Sequence, residues 1–138
     1  MQYLSGFQAL NIPNQKGLIA DWHPQIYLNP KKILFYESDN NPLKDLGIRK
    51  CFVKTLQKEY NVASFARAIA DLLYFNKTAQ MQGIVDDFLD EDDAMELFNY
   101  LKILPKTQIV QRFLKYELTK LYFKEKNGKL SDRASEIY

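Results

Sequence analysis

The chain has few of the residues that build disulfides and metal sites. Among its 138 residues there is one cysteine, Cys51, and one histidine, His23. A single cysteine excludes an internal disulfide, and one histidine with one cysteine does not make the usual zinc ligand sets. The sequence therefore predicts a protein of the reducing cytoplasm that carries no cofactor.

Glycine-rich loops, long apolar runs and a strong net charge are lacking as well. The five glycines are scattered, so no phosphate-binding glycine loop is present. No apolar run nears the roughly 20 residues of a membrane span, and the first residues lack the features of a signal peptide. A net charge of +2 is too small to indicate nucleic-acid binding by itself. We expect no membrane partner, and the oligomeric state stays open.

The second half of the chain carries the apolar spacing of amphipathic helices. Between Asn61 and Asp90 the apolar residues recur at i, i+3, i+4 and i+7, which is typical of one helix face. Four helices are predicted within residues 61–127: one after an N-cap at Asn61, one after Thr78, one over Asp92–Leu104 and one over Pro105–Asn127. Residues 128–138 are expected to form a frayed tail.

Residues 1–60 are interrupted by prolines and favour short elements. Phe7–Ile12 suits a short strand or a connecting segment, and Gln25–Leu28 with Ile33–Tyr36 suits a β-hairpin. Ile48–Lys58 has helical spacing and is predicted as a helix or helical turn, although Cys51–Val53 would also suit a strand. The fold class is α+β, one domain with a small N-terminal β-hairpin or sheet packed on a C-terminal bundle of about four helices.

Charge is unevenly distributed along the predicted helices. Seven acidic residues crowd the junction of the second and third helices, with no Lys or Arg among them: Asp86, Asp87, Asp90, Glu91, Asp92, Asp93 and Glu96. After Tyr100 the balance is basic, with nine Lys and Arg against four Asp and Glu. The acidic corner is either a solvated surface or a patch that meets a basic partner site.

Two catalytic possibilities have partial sequence support. Asp86, Asp87 and Asp90 form a DDxxD pattern, whose carboxylates could hold Mg²⁺ on a diphosphate, but the second acidic motif of isoprenoid synthases is missing. A nucleophilic pair of Cys51 and His23 would need the fold to join them and has no family signature. A small metal-dependent enzyme therefore remains an alternative, behind a non-enzymatic function.

Nucleic-acid binding is the other alternative that the residues leave open. The second helix is a poor reading helix for DNA because Asp86 and Asp87 would face phosphates. The fourth helix offers a basic face made of Lys106, Arg112, Lys115 and Lys120. A regulator that binds nucleic acid would use that face.

Several motifs occurring in order resemble one bacterial protein family. They are Ala9-Leu10-Asn11-Ile12-Pro13, Ala20-Asp21-Trp22-His23, Tyr60-Asn61-Val62 leading into Arg67–Leu73, and Gln82-Gly83 with Asp87-Phe88. Together they resemble small proteins encoded just before an Abi-type nucleotidyltransferase toxin. Members commonly have Gly-Asp-Trp-His where this chain has Ala20.

The resemblance implies a non-enzymatic, antitoxin-like protein that binds and neutralises the neighbouring toxin. The resemblance implies no catalytic residues. The candidate partner-binding residues are Asp21, Trp22 and His23, the Arg67–Asp71 pair, and the acidic corner defined above. Arg67 and Asp71 lie one helical turn apart, and such a pair would be worth only about 0.3–0.5 kcal/mol if exposed.

Overall fold

The computed structural model describes residues 1–20, 28–77 and 90–115. These ranges contain β1 (Gln2–Tyr3), α1 (Gly6–Leu10), β2 (Tyr36–Glu37), β3 (Ile48–Val53), β4 (Lys58–Ala63), α2 (Phe65–Tyr74), α3 (Glu91–Ile103) and α4 (Gln108–Phe113), with a 3₁₀ turn at Lys54–Leu56. The strands form two antiparallel two-stranded sheets. The predicted α+β class is thus confirmed. No helix within the described ranges is long and apolar enough to cross a membrane.

Helix α2 is the centre of the described fold. All nine residues from Phe65 to Leu73 are buried, and the helix contacts α1, β4, α3 and α4. Its predicted N-cap at Asn61 is wrong, because Asn61 pairs with Lys50 inside the β3–β4 ladder. The cap is Ser64, whose Oγ accepts a hydrogen bond from the backbone N–H of Arg67 at 3.1 Å.

The segment predicted as a helix over Ile48–Lys58 is instead a β-hairpin. Strands β3 and β4 pair from Ile48 opposite Ala63 to Val53 opposite Lys58. The side chains alternate, since Val53 is buried while the neighbouring Phe52 is 60% exposed. The helical spacing that Ile48 shares with Phe52 is therefore a coincidence, and alternation is the pattern that describes this segment.

The N-terminal segment also departs from the prediction. Phe7–Ile12 is not a strand, because Gly6–Leu10 forms α1. Ile33–Tyr36 is predicted from the sequence as one strand of a hairpin. Only Tyr36 of this segment lies in a strand, β2, and it pairs with Tyr3 of β1. Leu34, two residues before Tyr36, bonds to a side chain of α1. The Gln8 side chain donates to the Leu34 carbonyl at 2.7 Å and accepts from the Leu34 N–H at 3.2 Å. Residues 25–27, the other half of that hairpin, lie outside the described residues.

The C-terminal helices follow the prediction more closely. The helix expected over Asp92–Leu104 is α3, and it begins one residue earlier, after an N-cap at Asp90. The helix expected from Pro105 begins only at Gln108, because Thr107 is its N-cap and accepts a hydrogen bond from the Val110 N–H. The predicted second helix, the remainder of the fourth helix beyond residue 115 and the tail at 128–138 lie outside the described residues.

Candidate functional site

Arg67 and Asp71 form an ion pair in the interior of the fold. Arg67 Nε lies 3.1 Å from Asp71 Oδ1, and both side chains have no exposed surface. The Arg67 guanidinium also donates to the Tyr3 hydroxyl at 3.0 Å and to the Leu46 carbonyl. It sits 5.1 Å from the centre of the Tyr3 ring, within the range of a cation–π contact.

The Asp71 carboxylate is fully hydrogen-bonded by groups from two other segments and by Arg67 of the same helix. Its Oδ2 accepts from Tyr3 Oη at 2.7 Å and from Ser5 Oγ at 2.6 Å. Its Oδ1 accepts from Asn41 Nδ2 at 3.1 Å and from Arg67. A carboxylate has about four acceptor sites, so this one has none left over.

This buried network holds the N-terminal segment and the loop before β3 against α2. A partner protein cannot contact Arg67 or Asp71 while the fold is closed, since neither side chain reaches the surface. Truncating one member of a buried ion pair is costly because the other charge is left unpaired. The pair is therefore a structural element of the fold, and the surface that a partner could use lies elsewhere.

Acidic residues of the predicted site are exposed at the start of α3. Asp90 and Asp93 form a capping box: Asp90 Oδ1 accepts from the Asp93 N–H at 2.8 Å, and Asp93 Oδ2 accepts from the Asp90 N–H at 3.3 Å. The first turn then adds Glu91 and Asp92, both exposed. Carboxylates are favourable here because the helix dipole is positive at its N-terminus.

A groove of about 380 Å³ lies beside this helix start, and we call it the acidic groove. Its acidic wall is formed by Asp90, Asp92, Asp93 and Glu96, and the groove also contacts Lys16 and Arg49. Lys16 Nζ lies 2.5 Å from Asp90 Oδ2 and neutralises part of the wall. Four carboxyl groups against two cations leave the groove with an excess of negative charge.

Glu96 is the carboxyl group that ties the groove to the centre of the fold. Its Oε2 accepts hydrogen bonds from Ser64 Oγ and from Tyr100 Oη, both at 2.5 Å. Ser64 is also the N-cap of α2, so Glu96 fixes the start of one helix against another. Burial and the Glu96 carboxylate raise the pKa of Tyr100, which keeps its hydroxyl protonated as a donor.

The pKa values of Asp90 and Asp93 are shifted in opposite directions. Burial raises the pKa of Asp93 to about 6, and the charges of Asp90 and Glu96 add to this effect. Partial burial opposes ionisation of Asp90 too, but the hydrogen bond from Lys16 and that from the Asp93 backbone lower its pKa. Of these two carboxyl groups, Asp93 is therefore the one that takes up a proton first on acidification.

The raised pKa of Asp93 predicts a pH-dependent gain in stability for Asp93→Asn. This pKa is about 6 in the folded protein, against an ordinary value of 3.8 for an aspartate in an unfolded chain. The folded state thus binds more protons between those values, and this group lowers stability as the pH rises through them. The free energy of unfolding of the variant, minus that of the wild type, should increase between pH 3.8 and about pH 6 in urea titrations and level off above that range.

Asp92→Asn is the matched control for that experiment. It removes a carboxyl group from the same helical turn, but from an exposed position. The asparagine at position 93 retains an oxygen that can accept from the Asp90 N–H, so the capping box is preserved. Equal pH dependence in both variants would mean that burial does not set the pKa of Asp93.

The structure brings together part of the predicted site. Asp90, Asp92, Asp93 and Glu96 line one groove, and the exposed Glu91 adjoins it. Arg67 and Asp71 are instead in the interior. The remaining predicted residues, Asp21, Trp22, His23, Asp86 and Asp87, lie outside the described residues.

Several residues of these two sites are not evident from the sequence. Tyr3, Ser5 and Asn41 surround Asp71 but lie 30 to 68 residues away along the chain, so local spacing gives no signal for them. Lys16, which pairs with Asp90, lies 74 residues away from it along the chain. Ser64 could have been recognised, because a serine directly before an apolar helical run is a typical N-cap.

Two features bear on the alternative functions. Across residues 1–20, 28–77 and 90–115, no three His, Cys, Asp or Glu side chains are grouped as metal ligands. Lys106, which lies just before α4, donates a hydrogen bond from its Nζ to the Leu101 carbonyl in the last turn of α3, and burial lowers its pKa. Arg112 and Lys115 are exposed in the same part of the chain.

The comparisons with known proteins provide no relative from which a function could be transferred. No family model matches the chain, and no curated protein or solved structure is similar enough to count as a match.

Proposed function

We propose that this chain is an antitoxin-like, non-enzymatic protein that binds and neutralises a nucleotidyltransferase-type toxin encoded nearby. The proposal begins from the motifs given above, among them Ala9–Pro13 and Arg67–Leu73, which resemble proteins encoded beside such toxins. A cytoplasmic location belongs to the same proposal and agrees with the single cysteine, Cys51.

One observation carries the proposed mechanism: the start of α3 presents an excess of carboxyl groups around an open groove. A nucleotidyltransferase must attract nucleotide phosphates, so its substrate site is expected to be electropositive. An acidic surface complements such a site and competes with phosphate for it. In this mechanism the acidic groove and Glu91 cover the nucleotide or RNA site of the toxin.

Fewer residues are proposed to contact the toxin than the sequence indicated. Arg67 and Asp71 are removed, because their buried side chains position α2 and do not face a partner. Asp92 and Glu91 are the exposed members of the α3 surface, and they become the first choices for mutation. The sequence alone supports a toxin contact by Asp21, Trp22, His23, Asp86 and Asp87, and they remain candidates for it.

Neutralising the exposed carboxyl groups should weaken the complex with the toxin. For the double variant Glu91→Gln/Asp92→Asn we expect roughly a five- to tenfold increase in Kd, since each rim charge contributes up to about 1 kcal/mol. The dependence of Kd on salt should become shallower as well, because fewer charge pairs are screened. Isothermal titration calorimetry with the purified toxin, at low and high salt, measures both quantities.

A charge-matched control separates a specific contact from a change in net charge. Asp45→Asn/Glu59→Gln also removes two exposed carboxyl groups, but outside the acidic groove. It should leave Kd within about twofold of the wild type. If both double variants weaken binding equally, or neither does, the acidic groove is not the contact surface.

The alternative of a nucleic-acid-binding regulator rests on the exposed Arg112 and Lys115. It predicts retention on DNA or RNA that is lost when Lys115 and Lys120 are changed to Glu. The alternative of a metal-dependent enzyme predicts Mg²⁺ or Mn²⁺ binding that needs Asp86, Asp87 and Asp90. Neither alternative has an observation in its favour as direct as the acidic groove.

A further inference from the structure

Strand β3 has one paired edge and one open edge. On the far side of the hairpin, β4 is bonded to Leu4, which donates to the Asn61 carbonyl at 2.8 Å and accepts from the Ala63 N–H at 2.9 Å. In the part of the chain that the structure describes, β3 pairs with β4 alone. Among the described residues, the hairpin therefore has a covered side along β4 and an uncovered side along β3.

The register fixes which backbone groups lie on the open edge. Because Asn61 and Ala63 point towards Leu4, Val62 between them points towards β3, where it faces Arg49. Backbone groups alternate along an antiparallel strand, so Arg49, Cys51 and Val53 bond to β4. Lys50 and Phe52 then direct their N–H and C=O groups outwards.

The open edge ends at Ile48, the residue two positions before Lys50, whose backbone N–H also points away from β4. Its N–H is taken by the Asp45 carbonyl at 3.2 Å, which closes the turn that leads into β3. Within the described residues, the open edge thus offers two N–H donors, from Lys50 and Phe52. Exposed edges of this kind are templates for pairing with another chain.

The side chains along this edge are basic, with one large apolar residue. The hairpin carries four cations, Arg49, Lys50, Lys54 and Lys58, and a single acidic residue, Glu59. The Lys50–Glu59 contact is long, at 4.0 Å, and both side chains are more than half exposed. Phe52 stands between these charges with 60% of its surface exposed.

We propose that the open edge of β3 binds an extended, acidic segment of a partner protein by adding it as a third strand. Backbone bonds to Lys50 and Phe52 would set the register, and Phe52 would pack against an apolar residue of the added strand. The cations select acidic side chains on that strand, since opposite charges across a sheet attract. A second copy of β3 is a poorer occupant, because the same cations would be brought together.

This surface borders the acidic groove, which Arg49 also lines, but the backbone donors of Lys50 and Phe52 lie outside the groove. The strand-addition proposal does not depend on the antitoxin proposal. The probe is a fluorescein-labelled peptide of about eight residues in which Glu and Val alternate, the length being that of a short strand. One control peptide replaces Glu by Lys, and another carries N-methyl groups on alternate backbone nitrogens, which block strand pairing. Fluorescence anisotropy measures binding, and hydrogen exchange followed by NMR locates it.

The full-length wild type should bind the Glu-Val peptide and neither control peptide. The Lys50 and Phe52 amides should exchange more slowly in the complex, while the Cys51 amide, already bonded to β4, should change little. Lys50→Glu should weaken binding about tenfold, because attraction across the sheet becomes repulsion. Arg112→Glu changes the net charge equally on α4 and should leave the affinity within about twofold.

Three results would overturn the proposal. One is equal binding of the Glu-Val peptide and its N-methylated form, which would mean that no strand is added. Another is slowed exchange of Lys50 and Phe52 with increasing protein concentration alone, which would assign the edge to a second copy of the chain. The third is binding of a single-stranded oligonucleotide at this hairpin without any binding of the acidic peptide.

Discussion

Arg67→Met should lower the free energy of unfolding by about 3–5 kcal/mol, the usual cost of breaking a buried ion pair from one side. The substitution keeps most of the side-chain volume and removes the charge. Asp71 would then be an unpaired carboxylate among buried groups, and Tyr3 and the Leu46 carbonyl would each lose a donor. Equilibrium unfolding in urea, followed by circular dichroism, measures the loss.

The double variant Arg67→Met/Asp71→Leu tests the cause of that loss. Removing both charges should restore part of the stability, because no ion is left buried alone. The recovery should be incomplete, since Tyr3, Ser5 and Asn41 all lose their acceptor on Asp71. A single variant that loses less than about 1 kcal/mol would show that Arg67 remains solvated, in contradiction of this fold.

Gly47→Ala is the second substitution with a large expected effect. Gly47 has φ = +74°, a left-handed conformation that costs a residue with a Cβ about 1–2 kcal/mol. An added Cβ would also lie 2.5 Å from Tyr100 Oη and 2.9 Å from Arg67 Cβ. Overpacking of this kind adds about 1–3 kcal/mol, so the expected total loss is about 2–5 kcal/mol.

Gly17→Ala separates the two contributions to that loss. Gly17 has a similar φ of +77°, but an added Cβ would meet nothing within 4 Å. It should cost only the conformational part, about 1–2 kcal/mol. If the two variants are equally destabilised in urea titrations, Gly47 is not closely packed between α2 and α3.

The elements that can be predicted from the sequence are those with local signals at both ends. Helix α3 is predicted to within one residue because acidic residues stand at its start, Met95, Phe98 and Leu101 follow at helical spacing, and Pro105 ends it. The body of α2 is recognisable because its apolar residues, among them Phe65, Ile69 and Leu72, recur at helical spacing. Its predicted start is wrong because Val62 fits the helical spacing as well as it fits the end of a strand.

The hairpin and the buried network are not predictable in the same way. Over Ile48–Tyr60 the apolar residues satisfy a four-residue period as well as a two-residue one, and pairing with β4 decides between them. The surroundings of Asp71 depend on contacts between segments far apart along the chain. The spacing of Arg67 and Asp71 predicts an ion pair correctly, but it contains no information about burial.

Co-expression with the product of the adjacent gene tests the antitoxin function most directly. We predict that this gene product alone arrests growth, that the chain restores growth, and that the two proteins co-purify. The complex should be weakened by Glu91→Gln/Asp92→Asn and retained by Asp45→Asn/Glu59→Gln. A neighbouring product that is not toxic, or toxicity that the chain does not relieve, would contradict the antitoxin function.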